Sequence, residues 1–191
     1  IQMAKIQFGL KEVPEILNHL SLGDVSKTDA TLTRHFDPHT FQEYSERHVS
    51  IQLKRDQSVV DSVLDLAHEL THATTPPTWQ PYDPNLSASQ YILLSIEGGG
   101  GEADAIFSEC QVAQELLRAD EFKANRCGHF LGKTGVLSRQ KIVREFYRIG
   151  AWKEKMQEWM GREMSKLPLL DSEAPVLFSS TGKAPYPVSL F

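Results

Sequence analysis

A chain of 191 residues, 40% of them hydrophobic, is long enough for one well-buried core and short for two full domains. Its formal net charge of −5 leaves no broad basic surface, which argues against binding nucleic acid through phosphate neutralisation. No run of about 18 or more apolar residues occurs, so the sequence predicts no membrane-spanning helix.

The opening stretch, IQMAKIQFGL, lacks the long apolar segment and small-residue cleavage site of a secretory signal. The chain begins at Ile rather than Met, which leaves room for an upstream segment; a periplasmic or secreted location is expected slightly ahead of a cytoplasmic one. In VPEILNHLSLG, Pro14 suits a first helical turn and Gly23 follows the end, predicting a short helix. DATLTRHF, TFQEYS and HVSIQLKR are rich in Thr, Val, Ile, Phe and Tyr, and alternate with period two most clearly from His48 to Leu53. They predict two or three strands of a small antiparallel or mixed sheet over about residues 28–56, with a turn at Asp37-Pro38.

From Ser58 to Thr74 the apolar spacing becomes helical, through Val59, Val60, Val63, Leu64, Leu66, Ala67 and Leu70, without Gly or Pro. The stripe is wide enough to predict a helix buried on most sides. It ends in TTPPTWQPYDPN, which the prolines force into an extended loop. SQYILLSI, residues 89–96, fits a short helix or strand before Gly98–Gly101. A second helix is predicted from Glu102 to about Asp120, and a third helical stretch over 138–167, with Ser138 as N-cap and Gly150 and Gly161 as possible breaks. Its Trp152–Met156–Trp159–Met160–Met164 stripe reads as core. Residues 168–191, with four prolines, read as an extended tail. Cys110 and Cys127 lie outside any CxxC pattern, which excludes a cysteine-rich zinc site; one disulfide and two buried thiols both fit.

The chemistry is concentrated in His68-Glu69-Leu70-Thr71-His72. At about 100° per residue, positions four apart lie roughly 40° apart on one helical face, so both imidazoles can reach one ion. Glu69 falls beside them, where its carboxylate can hold a water. Two neutral nitrogens, an open position and a base are what zinc-assisted hydrolysis needs. Surrounding this His-Glu-His set with Val60, Val63, Leu64, Ala67 and Leu70 would cost several kcal/mol unless a metal compensated it.

Through HELTH and the order strand, active-site helix, later acidic helix, the chain resembles the zincin superfamily of metallopeptidases over roughly residues 30–115. It departs from the broader motif at Asp65, where Val or Thr is preferred, and at Thr74, where an apolar residue is. The resemblance implies that HVSIQLKR holds substrate extended and that a third protein ligand completes the site. The metzincin continuation is absent, since its Gly and His would fall on Thr75 and Thr78. A gluzincin-like arrangement implies a downstream Glu instead, here Glu102, with Glu97, Asp104 and Glu109 as alternatives; Ile106 stands where gluzincins place an Asp. The small Ala103 and Ala105 would let that helix approach closely. The oxyanion-stabilising Tyr or His of zincins has its candidates in Tyr147, His129, Tyr91 and Tyr82, with Tyr147 foremost because it rides a helix.

The expectation is thus an α+β, zincin-like domain over residues 1–167, a small sheet packed on the HExxH helix with a mostly helical C-terminal half. Its expected function is zinc-dependent hydrolysis of a peptide or protein substrate, with His68, His72 and Glu102 binding one Zn²⁺ and Glu69 as general base. The competing expectation is a catalytically inactive zincin-like scaffold that binds a protein.

Overall fold

The computed structural model describes residues 19–80, 83–168, 170–179 and 182–190. It is an α+β protein with a small mixed sheet of three strands, and the chain divides into two units, residues 1–74 and 75–191.

In the first unit, β2 (Lys27–Asp37) and β3 (Gln42–Lys54) form an antiparallel hairpin. The turn falls at Asp37-Pro38 as expected: the Asp37 carboxylate accepts from the His39 amide at 2.8 Å, and Phe41 takes a φ of 56°. The period-two alternation of β3 sets the core. Val49, Ile51 and Leu53 face inward and join Leu66, Leu70 and Ala73 of α1 (Val59–Thr74). Towards the turn the hairpin leaves that core, and Leu32, Phe36, Phe41 and Tyr44 are exposed.

Two expectations change here. Leu20–Gly23, taken as the end of a helix, is a strand, β1, parallel to β3 with Leu20 opposite Ile51 and Gly23 opposite Lys54; residues 13–18 lie outside the described residues. The order β1-β3-β2 puts β3 in the middle, and Ile51 and Gln52 are paired on both sides. Their backbone groups are spent inside the sheet, so this part of HVSIQLKR cannot add an extended substrate as a further strand.

Helix α1 starts where the Ser58 hydroxyl accepts from the Asp61 amide at 3.1 Å, and it ends before Thr75-Pro76. It is less enclosed than its apolar stripe suggested. Leu64, Ala67, Leu70 and Ala73 are buried, whereas Val59, Val60 and Val63 in its first turns are exposed.

The second unit is helical. After α2 (Ala88–Glu97), opened by a reciprocal Ser87–Gln90 capping box, the four glycines lead into α3 (Glu102–Leu116). Gly100 has a φ of +71°, and a Cβ there would lie 2.3 Å from the Thr75 carbonyl oxygen, so only glycine fits. Helix α3 stops short of the expected Asp120. Arg118 turns extended and its amide donates to the Glu121 carboxylate at 3.1 Å, capping a separate α4 (Ala119–Ala124). A 3-10 turn, Arg126–Phe130, follows. It carries Cys127, which is disulfide-bonded to Cys110 with the Cα atoms 5.2 Å apart. The disulfide settles which of the two cysteine states is present.

Ser138 caps α5 (Arg139–Phe146) as expected, and both glycines do interrupt the stretch: Gly150 (φ 56°) precedes α6 (Trp152–Met160) and Gly161 (φ 54°) ends it. Met156 and Met160 are core, while Trp159 is exposed. The tail is extended but not loose. Asp171 exchanges backbone hydrogen bonds with Tyr147 and Ile149, Leu170 is buried, and the chain closes in a helical turn, α7 (Tyr186–Ser189). No helix among the described residues is long and apolar enough to cross a membrane.

Candidate metal centre

In α1 the one-turn spacing of the histidines is realised as a facing pair. The Nε2 atoms of His68 and His72 lie 3.2 Å apart, with the ring planes inclined at 70°. Two imidazole nitrogens bound tetrahedrally to zinc at about 2.0–2.1 Å sit about 3.3–3.4 Å from each other. The helix therefore holds both donor atoms at ligand spacing, and the pair fits a shared ion.

Glu69 is 6% exposed, rare for an acid, and β2 meets it with a donor: Thr28 Oγ1 lies 2.7 Å from Glu69 Oε2 and 2.9 Å from the Glu69 carbonyl oxygen. Thr28 thus fixes the direction of the carboxylate and the turn of backbone that carries it. The C-terminal end of α1 is held by Arg47 of β3, which donates to the Ala73 carbonyl oxygen at 2.7 Å and to that of His72 at 3.3 Å. A cation on these last carbonyls satisfies acceptors that the helix itself leaves open and complements its dipole. Asp65, the departure from the broader motif, takes the hydroxyl of Ser26, which in turn accepts from the Lys54 amide at 2.9 Å. The acid at that position ties the helix to its sheet. Neither Thr28 nor Arg47 was legible as a site residue: their partners on α1 are 41 and 25–26 residues away, and no local pattern links them.

The four acids considered as third ligand all belong to the second unit, where their partners differ. Glu109 is fully buried and paired with Arg126 at 2.6 Å; Asp104 is paired with Arg139 at 2.6 Å and also accepts from the Gly100 amide. Glu97, the last residue of α2, accepts from the Tyr147 hydroxyl at 2.8 Å. Glu102, the first residue of α3, accepts from the hydroxyl of Tyr186 in α7. A first-turn position suits its charge.

Tyr147 is 2% exposed, and burial first, then the bond to Glu97, push its phenol well above the ordinary tyrosine range. Its one proton is donated to Glu97. Of the other oxyanion candidates, Tyr91 packs its ring edge-on to Trp79, His129 lies 3.5 Å from the Glu145 carboxylate, and Tyr82 lies outside the described residues. No protein-family model, curated protein or solved structure matches the chain.

Proposed function

We propose that the chain is a zinc-dependent metallopeptidase of zincin type, with His68, His72 and Glu102 as the protein ligands of one zinc ion. The observation that carries this reading is the 3.2 Å separation of the two Nε2 atoms beside a buried, hydrogen-bonded glutamate. Glu102 is preferred over Asp104 and Glu109 because both of these already neutralise arginines. A carboxylate held in a charge-assisted pair is costly to withdraw for a metal.

The ion, when bound, polarises a substrate carbonyl and makes an attacking water more acidic. Every other role belongs to the chain. His68 and His72 present their Nε2 atoms from one helical face. Glu69 accepts the proton of the attacking water and returns it to the amine that leaves when the peptide C–N bond breaks. Thr28 keeps the Glu69 carboxylate pointing in one direction through both transfers. Tyr147 is given no step, because its proton is already committed to Glu97. The Cys110–Cys127 disulfide supports an oxidising compartment, periplasmic or extracellular, as the place of action.

Replacing Glu69 by Gln tests the mechanism. Zinc content stays at that of the parent, while cleavage of a fluorogenic peptide library falls by about 10²–10⁴-fold. A Glu69→Gln variant that cleaves at the parent rate refutes the role of the base. A parent that binds zinc and cleaves nothing points instead to a scaffold that binds protein.

A further inference from the structure

We infer that Tyr186 is a positioning residue for Glu102, its hydroxyl holding one carboxylate oxygen so that the other is presented to zinc; this rests on the zinc reading proposed above. The contact spans 84 residues of sequence and joins the C-terminal turn to the first residue of α3. A phenol has a single proton to give, so Tyr186 can hold one oxygen only, and a monodentate metal bond uses the other.

The segment is built to place that hydroxyl. Pro185 and Pro187 on either side of Tyr186 are fully buried, and Val188 is 8% exposed. Prolines at the cap and in the first turn of α7 fix φ without sacrificing a helical hydrogen bond, so little entropy remains to be lost there. The Tyr186 ring meets Phe146 edge-on at 5.5 Å, and the Ser179 amide donates to the Ala184 carbonyl at 3.1 Å just before it. Packing against Phe146 holds the ring, and the hydroxyl donates to the carboxylate. The two functions are therefore separable by removing a single oxygen atom. Groups that orient metal ligands through hydrogen bonds typically set about 10–100-fold of metal affinity.

The test is a competition titration of the full chain with zinc and a chromophoric chelator at fixed pH. Tyr186→Phe, which keeps the ring on Phe146, should weaken zinc binding by about tenfold or more. In a Glu102→Ala background, which leaves the hydroxyl no side-chain oxygen to hold, the same change should alter affinity less than about twofold. Pro187→Ala, which loosens the segment and leaves the hydroxyl, serves as the packing control and should weaken zinc less than Tyr186→Phe does. Parent-like affinity in Tyr186→Phe overturns the inference, as does an equal loss in both backgrounds or a larger loss in Pro187→Ala. If the parent chain binds no zinc, the reading beneath it fails first, and the inference falls with it.

Discussion

Thr28→Val removes one hydroxyl and almost no volume, and it isolates what holds the catalytic base in the proposed mechanism. The hydroxyl lies within bonding distance of two acceptors, Glu69 Oε2 at 2.7 Å and the Glu69 carbonyl oxygen at 2.9 Å, but has one proton to donate. At any moment one bond is made at full strength. A hydrogen bond to a charged acceptor contributes about 1.5–3 kcal/mol, and because Thr28 is only half-buried the lower end applies, about 1.5 kcal/mol. At 1.4 kcal/mol per decade, that energy corresponds to about a tenfold loss in kcat if the bond keeps Glu69 aligned in the transition state. KM and zinc content should stay at parent values, since neither ligand histidine is touched. Thr28→Ser, which restores the oxygen, should recover most of the rate. Steady-state cleavage of a fluorogenic peptide, read beside metal content, decides the matter. A Thr28→Val kcat within about twofold of the parent, or a Thr28→Ser as slow as Thr28→Val, refutes the assignment.

Three further outcomes follow from the packing. Gly100→Ala forces a side chain into positive φ and against the Thr75 carbonyl, which should cost at least about 1–3 kcal/mol in a urea titration; an unchanged midpoint contradicts the close approach described at that turn. Replacing Cys110 and Cys127 together by Ser opens a link of sequence separation 17 and should lower stability by about 3 kcal/mol, the parent in strong reductant falling to the same midpoint. Tyr147 should contribute nothing to the tyrosinate absorbance of the native protein, so parent and Tyr147→Phe should titrate alike until alkaline unfolding. The folded state holds that proton more tightly than the unfolded chain, which releases it near pH 10; the contribution of Tyr147 to stability is thus complete below about pH 10 and lost as pH rises beyond it.

What the sequence made legible was local. Period two in β3, period 3.6 in α1, the Asp37-Pro38 turn and the Ser138 cap each depend on residues a few positions apart, and each is realised. The misreadings arise where the decisive partner is distant. Leu20–Gly23 ends with a glycine after a proline-led stretch, the pattern of a helix, yet it pairs with Ile51–Lys54 some thirty residues on. That same long-range pairing sets Ile51 and Gln52 of HVSIQLKR between two strands. The break between α3 and α4 carries neither Gly nor Pro; the bonds that Arg118 donates from its amide and its guanidinium to the Glu121 carboxylate make it. Within the candidate site, HELTH announced itself through spacing alone. Thr28, Arg47 and Tyr186 did not, because a threonine, an arginine and a proline-flanked tyrosine acquire their roles only from what the fold sets opposite them.

The most direct test of the central claim is the metal content of protein purified without added metal, combined with anomalous diffraction at the zinc edge. One zinc per chain is expected, with Nε2 of His68, Nε2 of His72 and a Glu102 carboxylate oxygen each at about 2.0–2.2 Å. A protein without zinc, or a zinc bound by a set that omits either histidine or replaces Glu102, contradicts it.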